Sequence, residues 1–264
     1  EKFKEIQSPE KGGFYYYNSY YNRSINFYDV NNNTVRKIKD YKDKAVYDVF
    51  ATDSKFYVVY RDGGNPNPII YYVDELNIET EKVESTHNVT EFVADNYNSY
   101  IRTIGVDSKS RIYLTTFDGL KSEKKYTIHL LSKDYKELSS ADMEDDCFEY
   151  YGFDSSNGNF YFESYKTAKS QWGSSSGYRT LAFGNVTNNK ITVSDEILDI
   201  LYAKYVQYHY SSAIMLTEGT LAWTSSYNST VNVLDSSKFD TKNPNNPPLL
   251  GSLSRIGYEG DDEF

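Results

Sequence analysis

The stretch Ile104-Gly105-Val106-Asp107-Ser108-Lys109-Ser110-Arg111-Ile112-Tyr113-Leu114-Thr115 contains two short apolar segments on either side of a polar turn. Asp107 ends the first segment, and the serines that follow favour a turn. The second segment, from Ile112 to Thr115, is rich in the β-branched and aromatic residues that suit strands. The pattern predicts an antiparallel strand pair, here called strands A and B.

This strand pair recurs along the chain. Strand B has five copies, at Phe14-Tyr15-Tyr16-Tyr17, Phe56-Tyr57-Val58-Val59, Ile112-Tyr113-Leu114-Thr115, Phe160-Tyr161-Phe162-Glu163 and Leu221-Ala222-Trp223-Thr224. The last four are preceded by a strand A that ends in an acid, namely Asp53, Asp107, Asp154 and Glu218. Acids that fall at one position of every repeat indicate a structural turn.

Two further strands follow each strand B. Strand C begins near Ile25, Ile70, Ile128, Leu181 and Val231, and strand D begins near Val35, Lys82, Lys136, Ile191 and Leu249. A four-strand unit that repeats every 40 to 50 residues or so is typical of β-propellers. A β-sandwich gives no reason for a four-strand period.

We therefore predict an all-β fold, a β-propeller of four-stranded antiparallel blades within a single domain, residues 1–264. The five repeats are expected at about 3–41, 45–87, 100–140, 147–195 and 206–254. Residues 255–264 look like one more strand A. Either they begin a further blade of a six- to eight-bladed ring, or they close a five-bladed ring by pairing with the first blade.

The strand pair from Ile104 to Thr115 resembles the first two strands of a blade in NHL-like and YWTD-like propellers, including extracellular bacterial ones. The resemblance extends loosely over most of the chain. None of the five copies contains an intact Tyr-Trp-Thr-Asp, Trp-Asp or Asp-box motif. The resemblance implies a fold and a tendency to bind ligands, and it implies no reaction.

Composition narrows the classes of partner. The formal net charge of −10 argues against nucleic acid, whose binding needs basic patches. No apolar run approaches the length of about 18 residues that a membrane helix needs, so we expect no membrane insertion. No cofactor motif occurs, and no Cys/His cluster has metal-ligand spacing.

The most informative predicted loop joins strands B and C of the fourth repeat, residues 164–178. It combines Gly and Ser with Trp172, which Tyr165 and Tyr178 flank. Such rings suit stacking on a sugar or a peptide. The alternative is that Trp172 folds back and covers a small cluster within its own loop.

A second candidate lies before the fifth repeat. Apolar residues within 197–205 have helical spacing, and Tyr205, Tyr208 and His209 follow closely. His209 is a conceivable acid or base. A single histidine among tyrosines is more often a hydrogen-bonded structural group.

An acidic run precedes the fourth repeat and contains Asp142, Asp145 and Asp146. Several carboxylates close together could supply oxygen ligands to Ca²⁺, but the run lacks the spaced pattern of a calcium-binding loop. We favour a solvated acidic loop.

Two functions from different classes remain. The first is a non-catalytic binding or scaffolding module, secreted or at the cell surface, that presents aromatic residues to a carbohydrate or protein ligand; a structural domain of a larger cell-surface protein is a further alternative to it. The second is a propeller-type glycoside hydrolase or lyase, which needs a pair of carboxylates at a suitable separation. Without a recognisable catalytic set in the sequence, we favour the binding module.

Overall fold

The computed structural model describes residues 3–8, 11–18, 23–64, 67–144, 146–169, 175–193, 211–217, 219–225, 230–238 and 249–254. Within these ranges the chain is almost entirely strand. Helical structure there is limited to short 3₁₀ turns, among them Thr90–Phe92 and Ser236–Lys238. None of the helices in the described residues is long and apolar enough to cross a membrane.

Twenty strands in the described residues form five sheets, which we call blades 1 to 5. Blade 1 contains β1 Phe3–Ser8, β2 Gly13–Asn18, β3 Ser24–Asp29 and β4 Thr34–Asp40. Blade 2 contains β5 Ala45–Ala51, β6 Lys55–Gly64, β7 Asn67–Asn77 and β8 Val83–Asn88. Blade 3 contains β9 Ser99–Val106, β10 Ile112–Asp118, β11 Tyr126–Leu131 and β12 Glu137–Met143. Blade 4 contains β13 Asp146–Asp154, β14 Asn159–Lys169, β15 Ser175–Thr187 and β16 Lys190–Val193. Blade 5 contains β17 Ser211–Thr217, β18 Thr220–Ser225, β19 Thr230–Asp235 and β20 Leu249–Ser254.

Each blade is a meander in which consecutive strands pair antiparallel. The predicted fold class, an all-β propeller with five four-stranded blades, is confirmed. The strands fall within a few residues of the five predicted repeats. Residues 255–264, and with them the question of a further blade, lie outside the described residues.

The chain divides into two compact units, Glu1–Leu138 and Ser139–Phe264. Blades 1 and 2 and most of blade 3 belong to the first unit, and blades 4 and 5 to the second. The predicted single domain over residues 1–264 stays a prediction.

Two predicted loops are strands instead. Residues 164–178 were expected to form a long loop, but β14 continues to Lys169 and β15 begins at Ser175, with eleven registered pairs from Asn159↔Asn185 to Lys169↔Ser175. Long hairpin arms satisfy backbone hydrogen bonds that a loop would leave to water. The acidic run is not a loop either, because Asp142 lies in β12 and Asp146 begins β13.

The blade cores are built by strands that bury both faces. Successive side chains of a strand point to opposite faces. In β6, Phe56, Val58 and Tyr60 join a cluster with blade 1, and Tyr57 and Val59 join a cluster with blade 3. This explains why the B strands show continuous apolar runs rather than alternation.

The many tyrosines are explained by their hydroxyl groups. A buried phenol needs a hydrogen-bond partner. The Tyr41 and Tyr60 hydroxyls donate to the buried Asp74 carboxylate at 2.9 and 3.2 Å, and Tyr135 donates to Glu75 at 3.0 Å. Burial raises the pKa of all three phenols, so they remain donors at neutral pH.

The repeated acids between strands A and B are structural where the structure describes their contacts. Asp107 Oδ1 accepts hydrogen bonds from the backbone N–H groups of Lys109 and Arg111, each at 2.9 Å. Asp154 Oδ1 accepts one from Ser156 at 2.9 Å. These are turns stabilised by an Asp side chain, as predicted.

Turns between strands C and D connect neighbouring blades. Glu81 in blade 2 and Tyr135 in blade 3 both adopt the left-handed conformation, with φ of 59° and 60°. The Glu81 carboxylate binds Tyr15 and Arg36 of blade 1, and the Tyr135 hydroxyl binds Glu75 of blade 2. Each turn therefore docks one side chain on the preceding blade.

A buried acid joins the first strands of blades 2 and 3. Asp48 is fully buried in β5, and its Oδ2 accepts hydrogen bonds from the Thr103 hydroxyl and from the Ile104 N–H at 3.1 Å. Both donors belong to β9. The two blades are separate sheets without a shared strand pairing, and the Asp48 carboxylate supplies side-chain hydrogen bonds between them.

We expect Asp48→Ala to lower the free energy of unfolding by about 3 kcal/mol, because it leaves the buried donors of Thr103, Ile104 and Val49 without this acceptor. Asp48→Asn keeps one acceptor oxygen and should cost less. Urea unfolding measures both. The exposed Asp53→Ala is the control and should change stability by less than about 0.5 kcal/mol. An Asp48→Ala variant as stable as this control would contradict the assignment.

The Glu81 contact predicts a pH dependence. Hydrogen bonding to Arg36, above all, lowers the pKa of Glu81 from 4.5 to about 2. A lowered carboxyl pKa contributes stability that is complete above pH 4.5 and is lost as the pH falls toward 2. Glu81→Gln should therefore be less stable than wild type at pH 7, by about 1 to 2 kcal/mol because Arg36 is half exposed.

The difference in urea midpoint between wild type and Glu81→Gln should shrink between pH 4.5 and 2. Glu79→Gln removes an exposed carboxylate from the same turn and serves as the control. A difference that stays constant with pH would show that the carboxylate charge plays no part.

Candidate functional site

The structure describes the backbone of two of the six predicted ligand-binding residues. Tyr165 lies in β14 opposite Arg179, and Tyr178 lies in β15 opposite Lys166, so the two tyrosines belong to adjacent paired strands but do not face each other as a pair. The other four candidates, Trp172, Tyr205, Tyr208 and His209, lie outside the described residues.

The predicted acidic run gains no support as a metal site from the residues that the structure places. Asp142 is exposed in β12, Asp146 is partly buried in β13, and Asp145 is outside the described residues. No group of three or more His, Cys, Asp or Glu side chains in the described part of the chain could hold a metal ion.

A row of five aromatic rings crosses blades 2 and 3. The ring centroids are 5.9 Å apart for Tyr71 and Tyr47, 6.0 Å for Tyr47 and Tyr100, 5.0 Å for Tyr100 and Phe117, and 5.1 Å for Phe117 and Tyr126. Tyr47 and Tyr100 are almost parallel, with 9° between their planes. Tyr71 is buried and the other four rings are half-buried. We call these residues the aromatic row.

Strand register builds the blade 3 part of the aromatic row. Phe117 of β10 is directly opposite Tyr100 of β9 and Tyr126 of β11, so the three side chains share one face. All three lie at the strand ends that meet the B-to-C and D-to-A connections. Loops on a rigid scaffold are where ligands commonly bind, and this end of the blades carries the longer ones.

Tyr71 anchors the other end of the aromatic row. Its hydroxyl donates to the Ser99 carbonyl at 2.9 Å, and its backbone N–H donates to Thr90 Oγ1 at 2.9 Å. Burial, above all, raises the pKa of Tyr71. The ring is therefore a fixed, neutral support for Tyr47.

Two connections beside the row are bonded to each other. The Asn96 side-chain amide donates to Asp118 Oδ1 at 3.0 Å, and the Gly119 N–H donates to the Asn98 carbonyl at 3.1 Å. The backbone N–H of Leu120 is the largest cause of the lowered pKa of Asp118, which keeps this acceptor ionised. The paired connections carry two strongly exposed residues, Tyr97 at 91% and Leu120 at 63%. They form a rigid rim, because their turns are held by side-chain bonds.

Two imidazole clusters have parts of a catalytic arrangement. His87 Nε2 lies 3.0 Å from Ser85 Oγ and 3.7 Å from Glu75 Oε1. A serine nucleophile needs the carboxylate on the other ring nitrogen. His87 also stacks on Tyr135 with centroids 4.0 Å apart, so it belongs to the contact between blades 2 and 3.

The second cluster has a hydroxyl, an imidazole and a carboxylate in the order of a catalytic triad, but the hydroxyl is not accessible to a substrate. His129 Nε2 is 3.1 Å from Thr116 Oγ1, and Nδ1 is 3.2 Å from Glu137 Oε2. Thr116 is only 6% exposed, and the Phe92 ring covers His129 at 5.3 Å. A substrate could not reach the hydroxyl without moving Phe92, so we assign the cluster to packing.

A pair of glutamates lies across two strands of blade 4. Glu149 of β13 is directly opposite Glu163 of β14, and register shifts on both sides of Glu149 bend the strand. Glu163 is 2% exposed and accepts a hydrogen bond from the Tyr151 hydroxyl, whereas Glu149 is partly exposed. Like charges directly opposite each other destabilise a sheet. Such pairs, and the bulges beside them, are found preferentially at functional sites.

Neither the aromatic row nor the glutamate pair was predicted from the sequence. Tyr47, Tyr100 and Glu149 lie on A strands whose register depends on bulges, and Glu163 was assigned only as the end of a B strand. The sequence did contain a signal for Phe117 and Tyr126, because aromatic residues on either side of a hairpin loop face each other across the two strands.

No protein-family profile matches the chain, and no curated protein matches it in sequence. Its structure is similar to that of a luciferin-regenerating enzyme, with a TM-score of 0.55 and 12% identity over 95% of this chain and 75% of that one. It is also similar to regucalcin, a calcium-binding protein from Agrobacterium tumefaciens, with a TM-score of 0.50 and 12% identity over 88% and 70% of the two chains. The similarity is one of fold. At this identity it carries no residue role from one chain to the other.

Proposed function

We propose that this protein is a non-catalytic binding or scaffolding propeller that presents aromatic residues to a glycan or protein ligand. The aromatic row is the observation that carries the proposal. Half-buried rings supply contact area at a low cost in side-chain entropy, because their positions are already fixed by packing. Tyr97 and Leu120 on the neighbouring rim extend the apolar contact.

The same proposal includes a family resemblance, a location and a second contact region. Kinship with NHL-like or YWTD-like propellers rests on the loose strand-pair pattern around Ile104 to Thr115. A secreted or cell-surface location, including a place as one domain of a larger surface protein, rests on composition and on that resemblance. Trp172, with Tyr165 and Tyr178, remains a proposed second contact region.

Replacement of Tyr47 or Tyr100 by Leu should weaken glycan binding while preserving the fold. Leu retains apolar volume but removes the ring, and loss of an interface aromatic typically costs at least about 1 kcal/mol of binding free energy. The measurement is a glycan array, followed by titration calorimetry with the oligosaccharide that gives the strongest array signal. Thermal melting of each variant reports its folding.

Tyr28→Leu is the matched control. Tyr28 also forms an aromatic pair, with Phe14 at 5.3 Å, but lies at the other end of the blades. Equal loss of binding in Tyr28→Leu would contradict a role for the aromatic row. If wild type binds no glycan on the array, a glycan ligand is excluded and only a protein ligand remains within this proposal.

The glutamate pair favours a second candidate, a propeller-type glycoside hydrolase. Directly opposed residues have Cβ atoms about 4.5 to 5.5 Å apart. Two glutamate side chains that leave such a pair on one face can bring their carboxyl groups to the separation of about 5 to 5.5 Å that retaining glycosidases use. Glu163, held by Tyr151, would be the general acid, and the side chains around it would have to move for a substrate to reach it. The more exposed Glu149 would be the nucleophile, because the two roles need different environments.

Hydrolysis of a panel of nitrophenyl glycosides tests this candidate. If the pair is catalytic, wild type releases nitrophenol from at least one substrate, and Glu163→Gln and Glu149→Gln each lower the rate about 100- to 10,000-fold. Glu144→Gln removes an exposed neighbouring acid and should leave the rate unchanged. Inactive wild type, or full activity in Glu163→Gln, would eliminate the candidate.

A further inference from the structure

A groove of about 630 Å³ lies between blades 1 and 2, beside the turns that join strands A to B and C to D. Its lining includes Lys11, Phe27, Arg36 and Glu81. The aromatic row lies at the opposite strand ends of the blades. The groove is therefore a separate feature, and a role for it is independent of the function proposed for the row.

Three donors from blade 1 converge on one carboxylate in this groove. The Tyr15 hydroxyl donates to Glu81 Oε1 at 2.7 Å, and the Lys11 ammonium lies 3.4 Å from the same oxygen. The Arg36 guanidinium binds both carboxylate oxygens, with Nη2 at 2.9 Å from Oε1. Burial, followed by the hydrogen bond to Glu81, raises the pKa of Tyr15 and keeps its proton in place.

These donors have contacts in the groove besides those with Glu81. The Arg36 guanidinium lies over the Phe27 ring at 5.2 Å, which orients its plane. Lys11 donates to the Ile78 carbonyl at 2.6 Å and to the Tyr15 hydroxyl at 2.7 Å. A planar guanidinium fork beside an ammonium suits any carboxylate or phosphate group, whether or not it belongs to the chain.

Glu81 itself is an unusual residue for its turn. Its φ of 59° lies in the left-handed region, where Asn is favoured over most other residues. The corresponding turn of blade 1 has Asn33 there, with φ of 53°. The blade 3 turn has Tyr135 there, with φ of 60°. A stable turn at this position therefore does not require Glu, and the carboxylate is explained by its contacts in the groove rather than by the turn.

We propose that the groove is an oxyanion-binding site in which Glu81 is the resident, displaceable anion. A ligand carboxylate or phosphate takes the place of the Glu81 carboxylate on Arg36 and Lys11, and Glu81 rotates toward solvent. Arg36 is 53% exposed and Lys11 29%, so both can be approached from the groove. Asp29 and Glu79 also line it, and their negative charge opposes an incoming anion, so we expect the affinity of the wild-type site to be low.

The test is titration of the whole chain with inorganic phosphate and, separately, with acetate, at constant ionic strength. Calorimetry gives the affinity, and the side-chain N–H signal of Arg36 in nitrogen-edited NMR spectra reports the site. Wild type should bind weakly but saturably. Glu81→Asn should bind at least about tenfold more tightly, because it removes the competing carboxylate and keeps a residue that the left-handed turn accepts.

Further variants make the result specific. Arg36→Gln in the Glu81→Asn background should abolish binding. Glu84→Gln, which removes a carboxylate ion-paired with Lys55 in the same blade, should behave as wild type. Tighter binding of phosphate than of acetate identifies a phosphate site, and the reverse order a carboxylate site.

Two results would overturn the proposal. One is a Glu81→Asn variant that melts as a folded protein but binds neither anion better than Glu84→Gln does. The other is wild type that shows no saturable binding of either anion, since Glu81 would then be a permanent contact between blades.

Discussion

The structure depends on one constraint, that a blade with two neighbours must bury both faces of a four-stranded sheet. The second blade shows this in β6, whose alternate residues join two different cores. Tyrosine meets the constraint well, since its ring supplies apolar area and its hydroxyl reaches an acceptor at the edge of the core. Asp74, Glu75 and Asp48 are buried acceptors, and each accepts a hydrogen bond from a hydroxyl group of a buried residue. The high tyrosine content and the buried acids are therefore explained together, because buried hydroxyl donors need buried acceptors.

Hydrogen-bonding side chains that cross between blades fix the relative position of the blades more specifically than apolar contacts do. Apolar faces tolerate sliding, whereas a buried hydrogen bond is lost if its partners shift. Glu81 and Tyr135 accept a left-handed backbone so that a side chain can dock on the preceding blade. In blade 5, the Ser236 hydroxyl likewise donates to Asp154 of blade 4. Side chains from the C-to-D connections of blades 2, 3 and 5 therefore hold each of these blades in register with the preceding one.

The fold was predictable from the sequence because its signal is local and repeated. Each signal is recognised from a few consecutive residues: strand B of each repeat, the acid that ends strand A, and the polar turns. Five copies make the pattern recognisable even where one copy is imperfect. The candidate sites depend on pairing between strands. Glu149 faces Glu163 only because two register shifts intervene, and residues 164–169 and 175–178 pair as strands although the stretch has the Gly and Ser content of a loop. Neither the bulges nor the hairpin length can be derived from composition.

The two ends of the blades differ in chemistry because of the same constraint. Where strands C and D turn, charged side chains such as Arg36 and Glu81 close the gap between blades, and an ionic groove results. Where the B-to-C and D-to-A connections lie, the rings of Tyr47, Tyr100 and Phe117 continue the core outward until it reaches solvent. Packing between blades requires no aromatic ring beyond the last core layer. The half-buried rings at that end are therefore the ones that the proposed ligand would contact, whereas the rings deeper in the same blades are used by the fold.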